Sequence, residues 1–166
     1  MGDLKDDLKE LLQQGYRYAL ALVHDPAQAE DLLQDAWIAV LNANGPHEKG
    51  YLFSAIRSRF LNHAKREKLV AFVPIENHLD FAEADNSGEL DAHFALQELE
   101  PALQQLRPLE REALFLNAVA GYTAQEIAEH NQTTRGTVLS LLHRARKKLQ
   151  TILIPPEHAE VAHGKD

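Results

Sequence analysis

The segment GYTAQEIAEHNQTTRGTVLSLLHRAR, residues 121–146, decides the fold of this 166-residue chain. Thr123 followed by Glu126 is a helix-start signal, in which the threonine hydroxyl accepts an amide proton that the first helical turn leaves unpaired. Apolar residues then recur at helical spacing in a short run over residues 123–130 and a long run over residues 134–151, with a polar turn between them. A short helix, a turn and a longer helix predict a helix-turn-helix.

Helical periodicity continues outward from this segment. Residues 94–106 and 108–120 predict two helices before it. Nearer the start of the chain, three more helices are expected, the first ending near His24 and the second beginning at Asp25 and Pro26, a cap followed by a tolerated first-turn proline. Asn44, Gly45 and Pro46 end the second helix, and the third is expected to run from about residue 48 to 69.

These elements predict an all-α chain of two small helical modules. The N-terminal module, residues 1–72, is expected to be a bundle of three or four helices, and residues 92–153 form the helix-turn-helix module. Residues 73–91 accumulate acids and a turn signal without any Lys or Arg, which predicts an acidic, partly disordered linker. A disordered tail is expected over residues 154–166.

Charge is distributed unevenly along the chain. It has 17 Lys and Arg against 25 Asp and Glu, and a net charge of −8 would by itself repel a polyanion. Yet residues 57–68 hold five cations and one acid, and residues 135–148 hold five cations and no acid. Two basic patches, each on the last helix of a module, predict a two-point contact with DNA. The alternative interpretation is that these cations complement helix C-termini and remain solvated.

Catalytic, metal-binding and membrane functions find little support. Cysteine is absent, so there is no disulfide framework, thiol nucleophile or cysteine-based zinc site, and a cytoplasmic location is expected. The nine histidines lack H-E-x-x-H or comparable ligand spacing, and the acidic pairs have no nucleophile or Gly-rich loop nearby. No apolar stretch is long enough to span a membrane. We expect no catalytic residue, no metal and no cofactor.

Three strings carry a family resemblance. Residues 29–37 read AEDLLQDAW, residues 51–66 read YLFSAIRSRFLNHAKR, and the third is the helix-turn-helix segment. In this order and spacing the chain resembles the extracytoplasmic-function (ECF) sigma factors of the sigma-70 family, over nearly its whole length. The resemblance implies a non-enzymatic factor that directs promoter-specific transcription initiation by RNA polymerase. Its implied partners are core RNA polymerase, promoter DNA and a cognate anti-sigma factor, with no membrane insertion.

The resemblance also implies three groups of site residues. Polymerase contacts are implied for Asp31, Leu32, Gln34, Asp35 and Ile38. The resemblance implies contacts with the minus-ten promoter element for Lys49, Tyr51, Arg57, Ser58, Arg59, Asn62, Lys65 and Arg66. It also implies a pocket for an unstacked base beside the loop at residues 47–50. Contacts of the helix-turn-helix with the minus-thirty-five element are implied for Thr123, Thr134, Arg135, Thr137, Ser140, His143, Arg144 and Lys147.

The helix-turn-helix departs from the family pattern in two places. Residues 130–133 read HNQT where the family commonly has apolar I-L-G-I, and leucines 139 and 141 flank Ser140 where it commonly has cations. Fewer cations predict weaker phosphate binding, and exposed leucines would favour an apolar partner, unless they pack on a neighbouring helix. These departures leave open an alternative function, a sigma-like protein whose promoter recognition has degenerated and which acts as a regulatory decoy.

Overall fold

A computed structural model describes residues 2–67 and 96–154 of the chain. Throughout these residues the secondary structure is helical, without a strand, which confirms the all-α prediction. The predicted linker and nearly all of the predicted tail lie outside the described residues, and the domain boundaries remain predictions. The helices are α1 (Gly2–Val23), α2 (Pro26–Asn42), α3 (Lys49–Glu67), α4 (Leu96–Gln104), α5 (Pro108–Ala118), α6 (Ala124–His130) and α7 (Arg135–Leu153).

Short polar side chains begin three of these helices. An oxygen of Asp25 accepts from the amide of Gln28 at 2.9 Å, and Pro26 occupies the first turn, as the sequence predicts. The hydroxyl of Thr123 accepts from the amide of Glu126 at 3.1 Å, and Thr134 starts α7 in the same way. Each cap satisfies an amide that has no partner within its helix.

The first module packs α1, α2 and α3 against one another. Gly15 lies in the middle of α1, where a glycine costs helix stability but permits close approach. A Cβ atom added there would stand 2.8 Å from a methyl of Leu52 and 2.9 Å from a methyl of Leu33. The glycine therefore lets α2 and α3 pack closely on α1.

The second module contains α4 to α7, and α6, a turn and α7 form the predicted helix-turn-helix. Gln132 in the turn has a positive φ of 54°, which reverses the chain over a few residues. One small apolar cluster, which joins α4, α5 and α7, belongs to this module alone: Ala102, Leu106, Leu114, Ala145 and Leu149.

A larger core joins the two modules. Tyr18 stacks on Phe53 with ring centroids 4.5 Å apart, and Phe115 of the second module lies 6.0 Å from Tyr18. The same buried cluster extends from Leu52 through Leu116 to the helix-turn-helix. Because apolar burial is the main stabilising term in folding, the modules form one closed body in this structure.

Candidate functional site

One face of α2 is exposed and carries four of the five residues implied to contact polymerase. Asp31, Gln34, Asp35 and Ile38 follow the i, i+3, i+4, i+7 spacing, which places them along one helical stripe. Ile38 is 54% exposed, an unusual position for a branched apolar side chain. The stripe ends with a residue that the sequence analysis missed, Leu41, which is 46% exposed and lies three positions after Ile38.

Leu32 does not belong to this stripe. It is buried in the core, 6% exposed, because it lies one helical step of about 100° from Asp31. The implied contact of Leu32 with polymerase therefore stays a prediction that this buried position does not support. The leucine instead holds α2 in place and so orients the exposed stripe.

The basic residues of α3 fall into two groups. Arg59, Lys65 and Arg66 are exposed, as are Ser58 and Asn62 between them. Arg57 turns inward instead, and its Nε lies 3.1 Å from a carboxylate oxygen of Glu112 on α5. Most of the residues implied to contact the minus-ten element thus face outward, whereas Arg57 and Lys49 are directed at the second module.

A groove of about 390 Å³ lies between α2 and α3 beside the exposed part of this surface. Tyr51, Ser58 and Arg59 line it together with apolar side chains of α2, among them Val40. An open groove with an aromatic ring, a hydroxyl and a cation has the components that hold an unstacked base. Tyr51 is common to this groove and to the pocket implied beside residues 47–50, but none of those four loop residues lines the groove.

The first turns of α7 present a polar surface. Arg135 and His143 are exposed, and Thr137 is partly exposed. The hydroxyl of Thr134 both caps the helix and lies 2.9 Å from that of Thr137. Thr123 likewise serves as the cap of α6. The implied DNA-contacting residues at these helix starts therefore also have a structural role.

Ser140 lies one turn after Thr137 and one turn before His143, on the same side of α7, yet it is buried. It is 2% exposed, so its implied contact with DNA stays a prediction that its position in this closed structure does not support. The two leucines that flank it are half-buried, and Leu141 packs against the core. Leu141 is thus accounted for by packing on neighbouring helices and is not an exposed apolar contact.

The basic patch of α7 is smaller than its sequence suggests. Lys148 binds a carboxylate oxygen of Glu110 at 2.6 Å, and Arg146 donates to the amide oxygen of Asn117 at 2.9 Å. Both contacts brace α7 on α5. Lys147 is exposed and Arg144 is partly exposed, so these two cations extend the surface that begins at the start of α7.

Glu112 is a buried carboxylate between the modules, 1% exposed. Besides Arg57, it accepts from the hydroxyl of Tyr18 at 2.6 Å and from the side-chain amide of Asn131 at 3.0 Å. A buried charge requires such donors, because it has lost its hydration. Burial, followed by the charge and hydrogen bond of Glu112, raises the pKa of Tyr18 well above its ordinary value, so Tyr18 remains a donor at neutral pH.

Arg111, next to Glu112, joins α1 and α4. Its guanidinium donates to the carbonyls of Ala21 and Leu22 at the end of α1 and to those of Leu103 and Leu106 near the end of α4. The last carbonyls of a helix lack internal partners and carry partial negative charge, which suits a cation. Burial lowers the pKa of Arg111 from its ordinary value.

The polar turn that departs from the family pattern contacts the first module. His130 lies 3.2 Å from the hydroxyl of Ser54 on α3 and 2.8 Å from the amide oxygen of Asn131. Lys49 reaches the carbonyl of Ala120 at 3.5 Å and lies 4.9 Å from the centre of the Tyr122 ring. The polar side chains of His130 and Asn131 therefore have polar partners in Ser54 on α3 and Glu112 on α5.

Within the described residues, no cluster of three or more potential metal ligands is present. Of the helices that the structure describes, none is long and apolar enough to cross a membrane.

Fold and site define a two-module, all-helical nucleic-acid-binding protein with a helix-turn-helix. Two family models match it, "Sigma-70 region 2" over residues 8–70 and "Sigma-70, region 4" over residues 96–149. With the relatives described next, these matches show that the chain belongs to the ECF group of the sigma-70 family of RNA polymerase sigma factors.

Two curated relatives and one solved structure illustrate this membership. The RNA polymerase sigma-E factor of Streptomyces avermitilis is 33% identical over 138 residues, covering 81% of this chain and 75% of that protein. The ECF RNA polymerase sigma factor EcfG of Rhodopseudomonas palustris is 25% identical over 162 residues, 90% and 84% of the two chains. The sigma factor RpoE of Bartonella quintana, solved in complex with the anti-sigma factor NepR, matches with a TM-score of 0.64 and 26% identity, covering 92% of this chain and 98% of that chain.

Proposed function

We propose that this protein docks on core RNA polymerase through the exposed stripe of α2 and places α3 and α7 on promoter DNA to direct transcription initiation. The observation that carries the proposal is the separation of surface charge by helix. The α2 stripe presents carboxylates and apolar side chains, whereas the outward faces of α3 and α7 present cations. One protein surface and two DNA surfaces can then be engaged at the same time.

The α2 stripe has the chemistry of a protein contact. Asp31 and Asp35 would bind cations on the polymerase surface, Gln34 would donate and accept hydrogen bonds, and Ile38 with Leu41 would supply apolar contact. Charge pairs at the rim of an interface accelerate association, whereas a buried apolar contact slows dissociation. We include Leu41 in the docking surface for this reason.

Promoter contact is divided between the modules. On α3, Arg59, Lys65 and Arg66 would bind phosphates of the minus-ten element, with Ser58 and Asn62 between them. The groove at Tyr51 would accept a base pulled from the stack. On the second module, the outward face would approach the minus-thirty-five element through Thr123, Thr134, Arg135, Thr137, His143, Arg144 and Lys147.

The remaining parts of the proposal concern partners and organisation. RpoE of Bartonella quintana was solved with an anti-sigma factor, and we propose that a protein of that class regulates this chain as well. The proposed location is the cytoplasm, where the polymerase acts, and the proposed role is that of an initiation factor without catalytic activity. The two modules are proposed to span residues 1–72 and 92–153.

Replacing Asp31 and Gln34 with alanine tests the docking surface. Both side chains are exposed, so the fold should survive while affinity for purified core polymerase falls at least about tenfold, as for loss of central interface contacts. The matched control is Asp7→Ala with Gln13→Ala, which removes the same two chemical groups from exposed positions on α1. Equal loss in both double variants, or none in either, would refute the docking assignment.

A further inference from the structure

We propose that Ser54, His130, Asn131 and Glu112 form a latch that holds the helix-turn-helix module against α3 in the free protein and withholds α3 from DNA. This inference rests on the proposed function, because it assumes that α3 contacts the promoter. The interface that carries it joins the proposed minus-ten helix to the turn of the helix-turn-helix.

The latch is a continuous chain of hydrogen bonds. The side-chain nitrogen of Asn131 donates to Glu112, so its oxygen faces outward and accepts from Nδ1 of His130. With the proton of a neutral imidazole on Nδ1, Nε2 is left as an acceptor for the hydroxyl of Ser54. Every member therefore has a compatible partner, and α3 is connected through the turn to the buried carboxylate on α5.

The latch occupies groups that DNA would need. Arg57 is paired with Glu112, and Lys49 is directed at a carbonyl and a ring of the second module. His130 of the turn also lies against Ser54 on α3, so a DNA strand that follows the outward cations would approach the turn. Opening of the latch releases Arg57 and Lys49 and moves the turn away from α3. The affinity of the protein for a polyanion should therefore rise.

The latch also differs in nature from the apolar contact beneath it. The stack of Tyr18, Phe53 and Phe115 stabilises the closed body but has little directional preference. Hydrogen bonds to a buried charge are directional, and losing one leaves that charge undersatisfied. The latch therefore sets the balance between closed and open forms, and the residues that depart from the family pattern serve this contact.

The protein without polymerase or promoter supplies the test. Because the chain has no cysteine, Glu10→Cys and Gln150→Cys introduce its only two thiols, one at an exposed position of each module. With a fluorescence donor on one thiol and an acceptor on the other, the efficiency of energy transfer reports the separation of the modules. In the doubly labelled protein, Asn131→Ala should raise the population of the open form, which shows low energy transfer, about tenfold. This is the effect expected for losing a hydrogen bond to a charged group. Ser54→Ala, at an exposed position that poses no risk to folding, should raise it by a smaller factor.

Asn117→Ala is the matched control. This asparagine also makes side-chain hydrogen bonds through both of its polar atoms, but its partners, Tyr122 and Arg146, lie within the second module. Unchanged transfer in both latch variants, or an equal change in the Asn117 variant, would overturn the proposal. No polymerase is present in this measurement. Its outcome is therefore independent of the proposal that α2 docks on polymerase, which the Asp31 and Gln34 double variant tests.

A duplex of about 30 base pairs with no promoter sequence, titrated at low salt, tests whether opening uncovers α3. Asn131→Ala leaves the net charge unchanged, so tighter binding would come from uncovered surface and not from added charge. We expect the affinity to rise several-fold over that of the unsubstituted protein. Opening without any gain in affinity would refute the claim that the latch withholds α3 from DNA.

Discussion

At the scale of single residues, Glu112 is a buried carboxylate that joins the two modules through Tyr18, Arg57 and Asn131. Tyr18→Phe removes one of its donors while keeping the stacked ring, so the free energy of unfolding should fall by roughly 1–3 kcal/mol. Urea denaturation measures this loss. Tyr16→Phe, at a half-buried ring that lines the groove between α1 and α2, is the control and should change stability by less than about 0.5 kcal/mol. Equal losses would contradict the role of the Tyr18 hydroxyl.

His24 makes stability depend on pH. Burial, and secondarily the positive charge of Arg111, lowers its pKa from the ordinary value of 6.5. The unfolded chain therefore binds the proton first as pH falls below about 6.5, and this histidine contributes a loss of stability towards acid. His24→Asn keeps a residue type that tolerates the positive φ of 51°. The variant should lose less stability than the unsubstituted protein between about pH 7.5 and about pH 5.5; an equal loss would contradict the assignment.

Individual site residues were predictable to different degrees. The exposed positions of α2 follow from the family string, whereas Leu32 and Ser140 belong to the family strings but are buried. Helical phase places Leu32 about 100° from Asp31, so the sequence itself predicts that these two residues face different surroundings. Ser140 shares its helical phase with exposed residues such as Lys147, so its own segment does not reveal its burial.

At the scale of elements, the cap of α7 positions the helix that is proposed to meet DNA. Thr134→Ala removes the acceptor for the amide of Thr137 and should lower the free energy of unfolding by about 1 kcal/mol. Thermal or urea denaturation measures the change. Thr151→Ala, whose hydroxyl donates to the carbonyl of Lys147 near the other end of α7, is the control and should cost less. The larger loss in the control would contradict the capping account.

The loop before α3 positions Tyr51. A Cβ atom at residue 45 would lie 2.3 Å from Cε1 of this ring, so Gly45→Ala must displace it from the groove. We expect slower promoter opening, measured by permanganate reactivity of unpaired thymines, with a stability loss of about 1–3 kcal/mol. Gly50→Ala is the control, since a Cβ there meets nothing within 4 Å. Equal opening rates in the two variants would contradict the proposed base pocket.

Most of the element structure was predictable because its signals are local. Caps at Asp25 and Thr123 and a 3.6-residue apolar period gave every described helix, with ends differing by only a few residues. The polar character of the turn is evident from its sequence, residues 130–133 reading HNQT. Its purpose was not evident, since its partner Ser54 lies 76 positions earlier in the chain.

At the scale of the whole molecule, closure of the two modules was beyond the reach of sequence patterns. It depends on pairs such as Tyr18 with Glu112, which are separated by 94 positions. Periodicity reports which face of a helix is apolar, but not which other face covers it. Closure also withdraws one cation from the basic patch of α3, since Arg57 binds the carboxylate of Glu112 in the second module while Arg59, Lys65 and Arg66 remain exposed.

Reconstituted run-off transcription measures the central claim most directly. Core polymerase is mixed with a library of genomic fragments, with and without this protein, and the transcript starts are mapped. The account predicts discrete starts that appear only when the protein is added and disappear with the Asp31→Ala, Gln34→Ala double variant. Starts that are identical with and without the protein, under conditions in which it binds the polymerase, would contradict it.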